Sequence, residues 1–324
     1  MNEKSAKVTV ILPVYNGEKY LSRAITSVLE QSIGQEEIKL YIINDGSIDE
    51  SDVIIKKFCQ LYPKQIIYVS QENQGVSFSR NLGITNCQTK WLTFIDQDDF
   101  FEKDFLDTLI KQAEKNDADV LISGYQRVGI DNEILYQTRL GKGEAAKFSN
   151  VALWAKLHKT QFLQENKITV FDNKVGEDIA FSFNELFQSD KVYCIAYIGY
   201  NWFDNSVSVS NTIQKNIVDI MPAILNLFAY CINLKQEFTK LEEYFIVLRM
   251  IGYLHLTMKS SRRKEFMTAW QELEKNISAR FPKWYNNQNI YFKAKGLTPR
   301  LFLSMLAFVM IYRLKLLKYS VKNN

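Results

Sequence analysis

Four short runs rich in apolar and β-branched residues lie in the first hundred residues, at 8–14, 38–43, 65–70 and 90–95, with helix-forming stretches between them. Strands that alternate with helices predict a doubly wound α/β sheet, mostly parallel, because a parallel connection must be long enough to cross over and usually holds a helix. The first run, V-T-V-I-L-P-V, is apolar almost throughout, as a strand covered on both faces requires. Leu21, Ala24, Ile25, Val28 and Leu29 then recur at helical spacing. The second helix carries Val53, Ile54 and Phe58, with Ser47 placed to cap it, and the third runs through Ser79, Arg80, Asn81 and Ile84. In such sheets ligands bind beyond the carboxyl ends of the strands. Each of the four runs ends there in a polar cluster: Tyr15-Asn16-Gly17, Asn44-Asp45-Gly46-Ser47, Glu72-Asn73-Gln74-Gly75 and Asp96-Gln97-Asp98-Asp99.

Further along, residues 105–116 read as a helix and 119–125 as a strand, with a hairpin turn at Asp131-Asn132-Glu133. Residues 151–157 and 160–164 read as helical, a helix starts near Gly176, and 192–200 is strand-like. From residue 212 the pattern changes, with helical periods at 213–234, 242–258 and 262–276. The expected organisation is an α/β domain over 1–211, in halves of about 1–100 and about 101–211, followed by a small all-helical region over 212–324.

A formal charge of +4 over 324 residues is too mild to imply nucleic acid, and the basic residues cluster late. Cys59, Cys87, Cys194 and Cys231 are widely spaced, which argues against a zinc site or a disulfide framework and suits a reducing cytosol. The polar start, running directly into a strand pattern, predicts no signal peptide and a cytoplasmic protein. His158 reads as exposed or capping and His255 as structural.

The chemistry of the four clusters follows from residue type. Tyr15 offers an aromatic face for a base, and Asp45 an acceptor for an imide N–H. Asn73, Gly75, Ser79 and Arg80 offer an amide, close backbone approach, a hydroxyl and a guanidinium to ribose and phosphate oxygens. Neither a G-x-x-x-x-G-K-[S/T] loop nor a G-x-G-x-x-G fingerprint is present. A diphosphate would then need a cation, and Asp96 and Asp98, two apart and on one side of an extended chain, are the oxygen ligands at hand. The same stretch also suits a strand-to-helix turn with an acidic cap. By residue type alone Glu177 and Asp178 read as acidic first-turn residues of the helix that starts near Gly176.

These motifs resemble the nucleotide-sugar glycosyltransferases of family 2, which have the GT-A fold. The resemblance rests on V-I-L-P-V-Y-N-G-E-K-Y-L, I-I-N-D-G-S-I-D, N-Q-G-V-S-F-S-R-N-L-G, F-I-D-Q-D-D and G-E-D-I-A-F, in the family's order, and covers about residues 7–210. It implies that Tyr15 and Asp45 hold the base, that Asp96 and Asp98 bind ribose, diphosphate and a divalent metal (Mn or Mg) with Asp99 adjacent, and that Asp178 is the general base of an inverting transfer. The implied nucleotide-sugar set is Pro13, Tyr15, Asn16, Glu18, Asp45, Gly46, Ser47, Asn73, Gly75, Ser79, Arg80, Asp96 and Gln97. Trp154, Lys156 and Glu177 fall on the acceptor side. Many members have two aspartates before Gly-Ser, whereas this chain has Asn44-Asp45. The implied acceptor is a surface polysaccharide on a lipid carrier or a glycan on a cell-surface protein. A non-catalytic sugar-binding or scaffold subunit is the alternative.

Residues 301–312, L-F-L-S-M-L-A-F-V-M-I-Y, are largely apolar and flanked by Arg300, Arg313, Lys315, Lys318 and Lys322. They fall short of the roughly 20 residues that span a bilayer. Two readings stand: a basic helix lying in the interface of an anionic membrane, or a last helix packed on the helical region. Trp270, Trp284, Tyr285, Tyr291 and Phe292 offer aromatic surface for a homo-oligomer.

Overall fold

The computed structural model describes residues 6–205, 217–257, 260–297 and 299–316. Within them the chain forms two compact units, one of residues 6–140, 150–172 and 188–205, the other of 141–149, 173–187 and the described residues from 217 onward.

The first unit holds the sheet. Strands β1 (Val8–Val14), β2 (Ile38–Asp45), β3 (Ile66–Gln71) and β4 (Trp91–Phe94) lie parallel in the order β3-β2-β1-β4. They are joined by α1 (Leu21–Leu29), α2 (Ser51–Leu61) and α3 (Val76–Asn86). The register is set by burial: Val8, Val10, Leu12 and Val14 join Leu40, Ile42 and the apolar stripe of α1 in one core. Pro13, which has no N–H to donate, sits past the last β1–β4 pair, Ile11 with Phe94.

Beyond β4 the sheet becomes mixed. The order continues through β8 (Lys156–Lys159), β6 (Val120–Val128), β9 (Val192–Phe203) and β5 (Phe100–Phe101), and β7 (Ile134–Thr138) forms the expected hairpin with β6. β8 runs antiparallel to both β4 and β6, while β6 and β9 are parallel. The helices α4 (Phe105–Lys115) and α5 (Thr160–Glu165) complete this unit.

Three local expectations are corrected. Residues 151–157 are not a helix: the Asn150 side chain accepts from the Ala152 N–H at 3.0 Å, Ala155 takes φ 56°, and β8 then pairs on both edges. Non-local pairing overrides a short apolar period that fits helix or strand. His158 is neither exposed nor capping. It is fully buried in β8, its Nε2 3.3 Å from the Leu153 carbonyl and its ring edge-on to Phe94. Ser47 does not cap α2, which begins four residues later.

The second unit is built from α6 (Glu177–Gln188), α7 (Ile217–Asn233), α8 (Lys240–Thr257), α9 (Arg263–Arg280), α10 (Gln288–Tyr291) and α11 (Pro299–Arg313). The change to an all-helical pattern agrees with these spans, but the unit also recruits α6 and the segment before residue 150. The reason is aromatic packing: Phe148 stacks on Phe245 at 4.5 Å and meets Phe183 of α6 at 5.8 Å. His255 lies on the exposed side of α8 and is not a core residue. No helix among the described residues is long and apolar enough to cross a membrane.

Candidate functional site

The ends of β1 and β2 are laced together by reciprocal hydrogen bonds. The Asn16 N–H donates to Ser47 Oγ at 3.0 Å, and the Ile48 N–H donates to Asn16 Oδ1 at 2.9 Å. Gly17 N–H reaches Ser51 Oγ at 2.9 Å, Glu18 N–H reaches Asp49 Oδ2 at 3.0 Å, and the Glu50 N–H returns to Glu18 Oε2 at 2.9 Å. Asp49 Oδ1 takes the Ser51 N–H at 3.0 Å, so the start of α2 is satisfied by Asp49 and Glu18 rather than by Ser47. Asn44 anchors the same loop from below, accepting the Ser47 N–H at 3.0 Å and donating to the Tyr68 hydroxyl at 3.2 Å. Tyr15 stands at the rim with half of its surface exposed.

Asp45 is buried and organises the third loop. Its Oδ1 accepts from Gln71 Nε2 at 2.7 Å and from the Gln74 N–H at 2.8 Å, while Oδ2 accepts from the Gly75 N–H at 2.8 Å. A carboxylate has about four lone-pair directions, so one is left for a ligand. Gly46 takes φ 77°, and a Cβ there would come within 2.8 Å of the Asn73 nitrogen, so this close approach of two loops needs glycine. Asn73 is exposed, whereas Ser79 is fully buried and receives Gln71 Nε2 at 3.3 Å. Ser79 therefore supports the loop instead of facing a ligand.

The acidic turn after β4 is held from several sides. Asp99 N–H closes it on the Asp96 carbonyl at 3.1 Å. Arg80, nearly buried, donates to Asp96 Oδ1 at 2.8 Å. Arg23 of α1 donates through Nη2 to the Asp98 carbonyl at 2.7 Å, its guanidinium 4.2 and 4.5 Å from the Phe203 and Phe100 rings. Gln97 clasps the Tyr15 backbone, accepting its N–H at 2.9 Å and donating to its carbonyl at 3.0 Å. A Cβ on Gly17 would meet Gln97 Oε1 at 2.5 Å, so a larger residue there would push the Gln97 amide out of its clasp.

The three aspartates of the turn differ in what they have left to offer. Asp99 is fully buried, with Oδ2 accepting the Tyr200 hydroxyl at 2.5 Å and Oδ1 the Phe203 N–H at 2.9 Å. Burial, then the charges of Asp96 and Asp98, push its carboxyl well above the usual aspartate range. Asp98 is half-buried, and among the described residues Asn205 Nδ2 lies 3.3 Å from its Oδ2. Burial and then Asp96 raise it as well. Among the described residues no group of three or more His, Cys, Asp or Glu is arranged to hold a metal ion. Two carboxylates nevertheless fit a divalent cation that completes its shell with phosphate oxygens and water. Asp98 and the free side of Asp96 supply them, and Asp98's proximity to Asp96 is the repulsion a cation would relieve. Asp99 does not fit as a ligand because both of its oxygens are engaged.

Of the acceptor-side residues, Trp154 stacks on Tyr200 at 4.6 Å and 11° and meets Tyr125 edge-on at 4.9 Å. Tyr200 thus joins Trp154 to Asp99 and also receives the Asp96 N–H at 3.3 Å. Lys156, two residues on, is buried in β8, which makes it part of the sheet and no surface contact. Glu177 and Asp178 form the first turn of α6 in the helical unit. Gly176, at φ 78°, leads into it, and a Cβ there would strike Leu227 at 2.3 Å. Tyr253 of α8 has its phenol pushed up by burial and by the charges of Asp178 and Glu177. Arg23, Tyr200 and Asn44 were not singled out as site residues by sequence reasoning. Arg23 reads as an ordinary helix cation and Tyr200 as one strand aromatic among many, so only their distant partners reveal them.

Comparison with known proteins follows the same lines. The model of the family described as glycosyl transferase family 2 matches residues 9–176. Glycosyltransferase GlyA of Streptococcus pneumoniae serotype 4 is 31% identical over 191 residues, which is 53% of this chain and 27% of GlyA. The minor teichoic acid biosynthesis protein GgaB of Bacillus subtilis is 38% identical over 125 residues, 37% of this chain and 14% of GgaB. These matches span about a quarter or less of the relatives' own lengths. The cholesterol galactosyltransferase of Borreliella burgdorferi is 28% identical over 275 residues, 76% of this chain and 75% of its own. Among solved structures, Staphylococcus aureus TarS 1–349 in complex with UDP-GlcNAc superposes with a TM-score of 0.66 at 17% identity, covering 97% of this chain and 89% of TarS 1–349. Mannosyltransferase PcManGT from Pyrobaculum calidifontis in complex with GDP-Man and Mn2+ gives 0.57 at 12% identity, covering 97% and 88%. Such likeness establishes the GT-A fold.

Proposed function

Because the chain belongs to glycosyl transferase family 2, we propose that it transfers a hexose from a UDP-linked donor to an acceptor hydroxyl, with inversion at the anomeric carbon. The observation that carries this reading is the set of four strand-end loops, which present an exposed aromatic ring, a buried carboxylate with one free direction and an acidic turn side by side in one unit.

In this reading the Tyr15 ring stacks on the base, and the remaining lone pair of Asp45 accepts the imide N–H. Asn73 and the backbone around Gly75 approach ribose and phosphate, while Pro13, Asn16, Glu18, Gly46, Ser47, Ser79 and Gln97 hold the loops in place. Arg80 fixes the orientation of Asp96. Asp98 and Asp96 would hold a Mg or Mn ion, which when bound offsets the charge of the departing diphosphate. Asp178 removes the acceptor hydroxyl's proton as that oxygen attacks the anomeric carbon from the face opposite the diphosphate. A single displacement needs one base. Trp154 offers an apolar face to the acceptor sugar, and Glu177 lies beside the base in sequence. The acceptor is proposed to be a cell-envelope glycan on a lipid carrier or on a protein, met at the cytoplasmic face of the membrane. Relatives named for teichoic acid synthesis and for galactosyl transfer to cholesterol support that choice.

The test is nucleotide release from a panel of nucleotide sugars, with and without chelator. Wild type should turn over one UDP-sugar in a metal-dependent manner. Asp178→Asn should lose about a hundredfold or more in kcat with UDP binding unchanged. A scaffold subunit would show no turnover in either protein.

A further inference from the structure

Helix α11 is apolar on two sides. Its inner side is buried, with Phe308 at 5.1 Å from Trp270 and Tyr312 at 5.3 Å from Trp284, and the Tyr312 hydroxyl donating to Glu274 at 2.7 Å. Its outer side carries Leu303, Ala307, Met310 and Leu314, spaced by four, three and four residues and therefore in one stripe. Leu303, Met310 and Leu314 are 58%, 54% and 63% exposed. The outward face of a helix in a globular protein is normally polar, so this one is built to be covered. Phe292, 76% exposed, follows Tyr291, whose ring lies 5.4 Å from the Arg313 guanidinium at the end of α11.

Charge identifies what covers it. Residues 275–324 contain ten Lys or Arg and no Asp or Glu, whereas residues 1–274 contain 30 against 36. Lys293, Lys295 and Lys315 are exposed. A second copy seated on the stripe about a two-fold axis would set cations against cations with no acid from this segment to offset them. An anionic bilayer has the complementary sign, and α11 is too short to span one. We propose that the outer face of α11 lies in the plane of an anionic lipid surface, with Leu303, Met310 and Leu314 in the acyl boundary and the surrounding lysines at the lipid phosphates. The inference deepens the membrane location proposed above and is independent of the transfer chemistry.

Flotation of the full-length protein tests it, with vesicles of phosphatidylcholine alone and of phosphatidylcholine mixed with phosphatidylglycerol. Wild type should float with the mixed vesicles only, less so as salt rises. Leu303→Glu with Met310→Glu should lose roughly tenfold or more in partitioning, and Lys293→Glu with Lys315→Glu at least about fivefold per cation. Thermal melting and nucleotide release without vesicles should match wild type for all of these variants. Flotation unchanged in the apolar pair overturns the proposal. So does a wild type that stays down but forms a dimer which Leu303→Glu abolishes, since the face would then be a self-interface. Flotation without any donor turnover would leave the docking intact and overturn the transferase reading instead.

Discussion

Asp98 and Asp99 are adjacent in sequence and opposite in circumstance. Asp99 is enclosed, and its two partners come from Tyr200 and Phe203 of β9, so its carboxylate shapes the turn and leaves Asp98 to face outward. Removing one partner should be costly because a buried acceptor cannot turn to water. Tyr200→Phe is therefore expected to destabilise the protein by about 1–3 kcal/mol, read by urea unfolding, while Trp154 keeps its stacking partner. An unchanged midpoint would show that the turn closes without that hydroxyl. Alternation along D-Q-D-D sets Asp96 and Asp98 on one side and leaves Asp99 for the turn. What encloses Asp99 could not be read there, because its partners lie about a hundred residues downstream. Asp45 was legible as a polar strand end, but its grip on the loop around Gly75 depends on how closely that loop returns.

At the level of elements, the link between β2 and α2 shows how a loop is pretensioned from behind. Asp52 of α2 accepts the Tyr68 hydroxyl at 2.5 Å, Tyr68 in turn receives Asn44, and Asn44 holds Ser47. A hydrogen bond from Lys56 and then one from Tyr68 keep the Asp52 carboxyl below its ordinary value. A lowered acid contributes stability above the ordinary carboxylate range and loses it as pH falls through the lowered value. Because the pair is partly exposed, Asp52→Asn should cost only about 0.5 kcal/mol near neutral pH. The two unfolding curves should converge only below the ordinary aspartate pKa of about 3.9. A constant gap at all pH values would show that the charge of Asp52 is not involved. The strands and helices up to residue 95 were legible because each carries its own period and its own turn residues. β5, two residues long, and β8 carry no such local signal, for they are strands only by virtue of what they pair with.

For the molecule as a whole, ligand binding should register as folding stability. If the acidic turn takes a cation together with a nucleotide, UDP plus Mn2+ at about a hundred times the Kd should add about 2.7 kcal/mol to the unfolding free energy, and chelation should remove most of it. Stabilisation by UDP that is indifferent to chelator would separate the nucleotide site from Asp96 and Asp98. The helical character of the segments from residue 217 on was visible in the sequence as a change from alternating to purely helical patterning. The recruitment of α6 and of Phe148 into the helical unit was not, because aromatic packing between distant segments has no period to betray it.

Gln97 grips the peptide of Tyr15 at both its N–H and its carbonyl, so the backbone that carries the ring at the rim is tied to the acidic turn. If the pocket takes a base and a cation as proposed, the clasp holds both sites ready before either ligand arrives, and any linkage between the two must be equal in both directions. Gln97→Ala, which frees the ring from the turn, should then weaken the binding of both.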